Sequence, residues 1–495
     1  MLRNTDLFAL IKSLDLNEKR YLVNAGRKEG GERIGYVQIL QALSALGNYS
    51  EDESRSIISR FSSSAKTDVK KHYLFYWILK RLHDYHSARY KTVNELNNVK
   101  VLIDKVLYPQ AARIIPAIKK RLVASENYPE LLFLLEMELK VSEYSDKSNP
   151  AVILEEVQEY SKQYADLKTL QLIRFRLRRM LDSNIFIRNA ADKKVIDQLT
   201  SAALLQSLNR SKSFSTQYNY NLILYWKYAT ANDWVKAFPF ALRNYQLVSK
   251  ETSQIHKFPE DTIHAFFNLL NSSFVSGKNI YTRVLKEFSR IISQKLTDRI
   301  KIDLFFYINL SQLIYFNRNF QSIDNTSLIH DAAMFIKQNH NQFSRTRLNN
   351  FYFDLAKSYF YQGEYKSSFS VLNDIYQNLN VAGHTRDFYT HSRILFCIAC
   401  FENQEIDLMR YSAKSSEEYM KRNQIFYLFE KRFLGFIIRD LFRFETMKST
   451  RKLEKLRQLK IDLEQIFESP YERTVLNYFD YFFWVDLKLK QLESV

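Results

Sequence analysis

Glycine and proline are scarce in this chain, 9 and 7 among 495 residues, and no glycine falls between Gly47 and Gly277. Sheet proteins spend both residues on turns, so their scarcity argues against a strand-rich fold and for helices. Cysteine is rarer still: Cys397 and Cys400 are the two present, which excludes a disulfide framework. Long apolar runs are missing as well. "YLFYWIL" (Tyr73 to Leu79) is among the longest and is too short to span a bilayer. The first residues, "MLRNTDLFALIKSLDLNEKR", lack the apolar core of a secretion signal, so a soluble, cytoplasmic protein is expected. No Walker loop, GxSxG, HExxH, kinase set or GxGxxG occurs, and no two acids stand in a recognisable acid/base context. The expectation is a non-enzymatic protein with no cofactor and no metal.

What the chain has in quantity is aromatic residues, 32 Tyr and 37 Phe, and positive charge, a net +18. The charge is clustered. Lys70–Lys91 carries +5, Ala112–Ala124 +4, Leu167–Met180 +5 and Lys431–Lys460 +7. Clustered charge of one sign points to an anionic partner more than diffuse charge does.

Apolar residues recur at spacings of three and four nearly throughout, as in "PELLFLLEMELKV" and "IKIDLFFYINLSQLIYF". Ser50 with Glu53 fits a capping box, and Ser469, Pro470 and Glu472 offer a cap, a first-turn proline and a third-position glutamate for the final helix. Breaks are short: "SDKSNP" near Pro150, "NRSKS" near Ser211, "NVAGHTR" near Gly383 and "ETMKSTRK" near Ser449. In "YFDLAKSYFYQGEYKSSFSVLNDIY" (Tyr352 to Tyr376) a helix through Leu355, Ala356 and Tyr359 stops at Gly363, and a second presents Tyr365, Ser368, Leu372 and Ile375 on one stripe. Small Ala356 and Ser368 let the two helices approach. A lone hairpin of this kind cannot bury its apolar face and needs neighbours like itself.

These residues resemble the tetratricopeptide (TPR) repeat, with Ser368 where alanine is usual. Weaker copies place Leu224, Tyr228, Trp234, Ala237 and Ala241 equivalently, with Asn232 in place of the turn glycine. Tyr108 with Ala111, Phe320 and Ile406 mark further copies. The start "LFALIKSLDLNEKRY", the repeat middle and "ESPYERTVLNYFDYFFWVDLK" together are similar to an uncharacterised group of TPR-type proteins of Bacteroidota. That resemblance implies a fold class and no activity. The expected architecture is all-α: an α-solenoid of TPR-like hairpins over 93–425, a helical N-terminal module over 1–92, and basic and aromatic capping helices over 426–495.

The leading functional expectation is a scaffold that binds a protein or peptide partner on the concave face made by the first helices of successive hairpins. Helical spacing nominates Asn350, Phe353, Lys357, Phe360 and Tyr361 as the exposed stripe of one unit, and Asn219, Leu222 and Trp226 as that of another. The alternative is an RNA-associated protein using Lys80, Arg81, Arg174, Arg178, Arg451, Lys455 and Arg457 as phosphate contacts. Segments such as "KKHYLFYWILKRLHDYHSARYK" and "IRFRLRRM" interleave bases with aromatics. They read either as a nucleic-acid surface or as a buried aromatic stripe whose wet rim holds snorkelling bases. In "RKLEKLRQLK", Leu453, Leu456 and Leu459 form the expected buried stripe. "CIAC" (Cys397 to Cys400) has the form of a redox pair or half a zinc site, but its mid-helix place favours packing. "HDYH" (His83, His86) lacks third and fourth metal ligands, which favours a solvated basic surface.

Overall fold

A computed structural model describes residues 4–47, 50–61, 67–85, 91–144, 149–181, 185–201, 205, 213–249, 255, 258–275, 278–292, 296–320, 326–378 and 386–494. Among them are twenty-four α-helices and no strand, so the chain is all-α. It divides into two compact units, Met1–Ser161 and Lys162–Val495. That division falls within one long helix. The 426–495 segment, expected as capping helices, shares its hydrophobic core with residues 353–425. No helix among the described residues is long and apolar enough to cross a membrane.

The first unit contains α1 (Asn4–Ser13), α2 (Leu16–Glu29), α3 (Glu32–Ala45), α4 (Glu51–Arg60), α5 (Thr67–Tyr85), α6 (Lys91–Asp104), α7 (Tyr108–Ala124), α8 (Tyr128–Ser142) and the start of α9 (Pro150–Leu181). Helices α1 to α5 close around Leu22, Tyr36, Ile39, Leu74, Trp77 and Ile78. Asp15 and Glu18 form a reciprocal capping box at α2. The Ser50 hydroxyl accepts from the Glu53 amide at α4 (3.4 Å).

The second unit continues with α10 (Ala190–Leu199), α11 (Phe214–Thr230), α12 (Trp234–Ser249), α13 (Pro259–Ser272), α14 (Lys278–Ile292), α15 (Asp298–Asn319), α16 (Thr326–Asn339), α17 (Arg345–Tyr361) and α18 (Tyr365–Asn378). It then runs through α19 (Arg386–Glu402), α20 (Ile406–Arg422), α21 (Leu428–Arg439), α22 (Ser449–Ile466), α23 (Pro470–Arg473) and α24 (Tyr481–Glu493). Consecutive helices pack as hairpins, most extensively α11 with α12, α17 with α18 and α19 with α20.

One turn recurs. Gly363 has φ +78°, and Val106, Glu126, Asn232, Gln404 and Gln424 occupy the same left-handed region with φ between 52° and 64°. At each, the residue's own N–H donates to the carbonyl three back and the next N–H to the carbonyl five back. Examples are Gly363 to Phe360 (3.0 Å) with Glu364 to Tyr359 (2.9 Å), and Gln404 to Phe401 (3.0 Å) with Glu405 to Cys400 (2.9 Å). This double closure satisfies the last carbonyls of a helix and reverses the chain. Asn232 therefore takes the place of the turn glycine, as its alignment with Gly363 implied, and four more non-glycine residues do the same. Ala356 and Ser368 are fully buried on facing helices of the α17/α18 hairpin.

The final helix departs from expectation. Pro470 opens only the four-residue α23, and Ser469 makes no side-chain cap. The last long helix starts at Tyr481 and is capped by Asp480, whose Oδ1 accepts from the Phe483 amide (3.1 Å). Cys397 and Cys400 are free thiols buried in the core of α19. Burial pushes the Cys397 thiol up to about 12. Among the described residues no group of three His, Cys, Asp or Glu side chains is placed to hold a metal. His83 is exposed; His86 lies outside the described residues, as do "NRSKS" before Ser213 and "NVAGHTR" before Arg386.

Candidate interaction surfaces

The stripe expected to be open on α17 is covered. Phe353, Lys357 and Phe360 are buried, and Asn350 and Tyr361 are half-buried. Phe353 packs edge-on against Phe388 of α19, and residues 479–483 of the same chain cover Phe360 and Tyr361. The Phe479 ring packs edge-on against Phe360 and stacks on Tyr361, while Phe483 meets Tyr361 and Phe320. The Tyr361 hydroxyl accepts a hydrogen bond from the Asp480 amide (2.9 Å). Lys357 is tied down at 2.5 Å to Asp354, whose backbone carbonyl accepts from the Asn317 side chain of α15 (2.9 Å). A lysine head so placed is paired, as burial of its charge requires. On α11, Asn219 and Leu222 are also buried and Trp226 is half-buried. The expected exposure of Asn219, Leu222, Phe353, Lys357 and Phe360 is corrected by their burial.

The same segment helps to build a buried polar centre that no motif announced. Arg188, from the stretch before α10, places Nη1 2.9 Å and Nη2 3.1 Å from the two carboxylate oxygens of Glu430 on α21. Its Nη2 also donates to Glu472 on α23 (3.1 Å), and the guanidinium lies over the Tyr427 ring at 4.6 Å. Glu472 has a second role, since its oxygens accept from the Leu428 and Phe429 amides and so cap the N-terminus of α21. Nearby, Tyr478 donates to Asp387 (2.7 Å), and His391 stacks on Tyr478 with Nδ1 3.0 Å from the Tyr481 hydroxyl. Burial lifts Asp387 to about 6 despite Arg188, and burial followed by the charges of Arg188 and Lys357 holds His391 well below its ordinary value. The Arg188 guanidinium loses hydration on burial, and Glu430, Asp387 and Glu472 more than offset this, so it stays charged. Acid, base and cation meet here, but in a sealed core that joins α19, α21, α23 and the stretch before α10.

The basic residues nominated as phosphate contacts fall into two groups. Several are satisfied internally. Arg81 pairs with Glu29 (2.8 Å) and Asp84 (2.9 Å). Arg174 bonds Asn219 (3.1 Å) and approaches Asp261 (3.7 Å). Lys455 pairs with Asp440 (3.1 Å), and Arg457 with Glu493 (2.8 Å). Lys80, Arg178 and Arg451 are exposed. Leu456 and Leu459 form the buried stripe of α22, with Leu453 half-buried beside them. Arg174 and Asn219, assigned from sequence to different surfaces, are partners in one hydrogen bond.

Two helices expose apolar residues where the sequence pattern suggested wet rims. On α5, Leu74, Trp77 and Ile78 face the core, while Val69, Tyr73, Tyr76 and Leu79 face outward. Tyr73 and Tyr76 are 59% and 53% exposed, and the His72 ring lies 4.7 Å from that of Tyr76. On α9, Leu170, Ile173 and Leu177 are buried, while Leu172 and Phe175 are 51% and 60% exposed. Alternation of two apolar stripes on one helix is the signal that distinguishes these from ordinary amphipathic helices. It is legible in "KKHYLFYWILKRL" and "LQLIRFRLRRM" once a buried side is fixed.

Comparison of the chain with protein-family profiles, curated proteins and solved structures finds no match.

Proposed function

We propose that this chain is a non-enzymatic scaffold: an α-solenoid of TPR-like hairpins, akin to the Bacteroidota group its sequence resembles, that holds a protein partner. The recurring left-handed turn supports the repeat reading, because it closes helix pair after helix pair with the same backbone bonds. The partner's place moves from the nominated stripe of α17, which Phe388 and residues 479–483 cover, to the outward stripe of α5. The observation that carries this is the exposure of Val69, Tyr73, Tyr76 and Leu79 at spacings of three and four on a helix already anchored by its opposite side. Tyrosine is enriched where interfaces draw their energy, since it supplies large, stiff, amphipathic area. Exposed His72 and Lys80 border the stripe, so the complementary partner is apolar at its centre and acidic at its rim.

The test is affinity capture with the full chain after nuclease treatment, at low and high salt. A protein retained in stoichiometric amount by the wild type and lost from Tyr73→Glu/Tyr76→Glu, with unchanged circular dichroism, supports the reading. Retention by the double variant removes the α5 surface from it. The RNA reading has an observation of its own on α9.

A further inference from the structure

We infer that the outward ridge of α9, Lys168, Leu172, Phe175, Arg176 and Arg179, binds single-stranded RNA. Helix α9 carries five bases and no acid between Leu167 and Met180. The structure sorts those bases. Arg174 turns inward to Asn219 and Asp261, and Arg178 lies near enough to His264 to help keep its imidazole neutral. Lys168, Arg176, Arg178 and Arg179 are exposed. Positions 168, 172, 175 and 179 follow one another at four, three and four residues, so they form one line along the helix with Arg176 beside it. The ridge is held rigidly from behind, because Leu170, Ile173 and Leu177 are buried in a core shared with Ile223 of α11.

The chemistry of the ridge is cations flanking an exposed ring. Bases that meet no carboxylate gain by meeting phosphate and releasing its counterions. A phenyl face held in water between guanidinium groups gains by stacking on an unpaired base, and any base has such a face. Duplex bases are stacked on each other and withhold their faces, which makes a single strand the fitting partner. A lipid surface fits less well. Membrane-surface helices present a wide apolar face, whereas this ridge has two apolar residues and its broad apolar side is buried. This inference is independent of the α5 proposal, which concerns a different helix and a protein partner.

Fluorescence anisotropy of a labelled oligouridylate titrated with the full chain tests it. The wild type binds. Arg176→Glu/Arg179→Glu raises Kd at least about tenfold and flattens the log–log salt dependence by about 1.4, roughly 0.7 for each single-strand phosphate that is no longer neutralised. Phe175→Ala weakens binding about fivefold or more without changing the salt slope, and Phe175→Tyr, which keeps a ring, restores it. A charge-matched control, Lys455→Glu/Arg457→Glu on α22, shifts Kd less than about twofold, because Lys455 and Arg457 already have carboxylate partners. Circular dichroism confirms that each variant is folded. The inference is overturned if the wild type does not bind the oligouridylate, or if the α22 control loses as much as the α9 variant. Tighter binding to a duplex of equal length, or to phosphatidylserine vesicles in place of RNA, overturns it too.

Discussion

Replacing Arg188 with methionine should strongly destabilise the second unit. The wild-type guanidinium makes two bonds to Glu430 and one to Glu472, and Glu430 is wholly buried. Removing the cation leaves two carboxylates facing each other without a counter-charge. Breaking a buried pair from one side costs about 3–5 kcal/mol, a large share of the ~5–15 kcal/mol that separates a typical native domain from its unfolded state. The deficit should be relieved from the other side. Arg188→Met/Glu430→Met removes both the cation and the carboxylate facing it, and should recover at least about 2 kcal/mol of the loss, since apolar replacement of a buried pair is often neutral. Glu472 is retained because it caps α21 through the Leu428 and Phe429 amides. The single variant should also depend on pH with a defined sign. Its stranded Glu430 will fold protonated, with a native pKa above the unfolded one. Stability from that group is then present at low pH and lost as pH rises through the native pKa. The deficit relative to wild type therefore shrinks on acidification. Urea melts followed by tryptophan fluorescence, which reports on buried Trp484, measure all three quantities. A deficit below about 1 kcal/mol, no recovery in the double variant, or a pH-independent deficit refutes the reasoning.

Other outcomes follow from single sites. His264 has a native pKa near 4, lowered by burial and then by Arg174, Arg178 and Arg347. The unfolded chain takes up the proton first, so about 3 kcal/mol of stability should drain away as pH falls from 6.5 to 4; His264→Gln should abolish that part of the pH dependence of urea midpoints. Asp387, lifted to about 6 by burial, acts in the opposite sense, and Asp387→Asn should make acid unfolding steeper. Gln404→Gly should raise stability by roughly 1 kcal/mol and Gly363→Ala lower it similarly, because both positions require positive φ; equal effects of opposite sign in thermal melts are the check. The Cys397 and Cys400 thiols should not react with a thiol reagent until the protein is unfolded, since burial disfavours the thiolate.

The helices, the hairpin at Gly363 and the equivalence of Asn232 could be read from sequence because they depend on local spacing and on one backbone conformation. Tyr108 and Ile406 were aligned with Tyr365, but the left-handed turns two residues before them, at Val106 and Gln404, and those at Glu126 and Gln424 were not read from the sequence. A non-glycine residue at positive φ leaves no compositional mark. The stripe of α17 expected to be exposed is largely buried, because periodicity groups residues on one side of a helix and says nothing about what lies against that side. The clue was "YFDYFFW" (Tyr478 to Trp484), too aromatic on every side for a simple end cap and therefore demanding neighbours all round. Lys455 and Arg457 looked available for phosphate because Asp440 and Glu493 are remote from one or both of them in sequence. The Arg188 centre joins residues as far apart as 284 positions and has no local signature.

The hydrogen bond between Tyr361 and Asp480 spans 119 residues. At synthesis rates of about 5–20 residues per second, α17 is completed roughly 6–24 s before the segment that covers its aromatic face. During that interval the faces of Phe360 and Tyr361 that Phe479 and Phe483 will cover stand in the cell as open surface on a nascent chain. The hairpins can form as they emerge, but their shared core waits for Phe479, Tyr481 and Trp484. A ribosome that stalls between α21 and α23 therefore holds a partly folded chain with its stickiest face outward, the kind of intermediate that chaperones intercept.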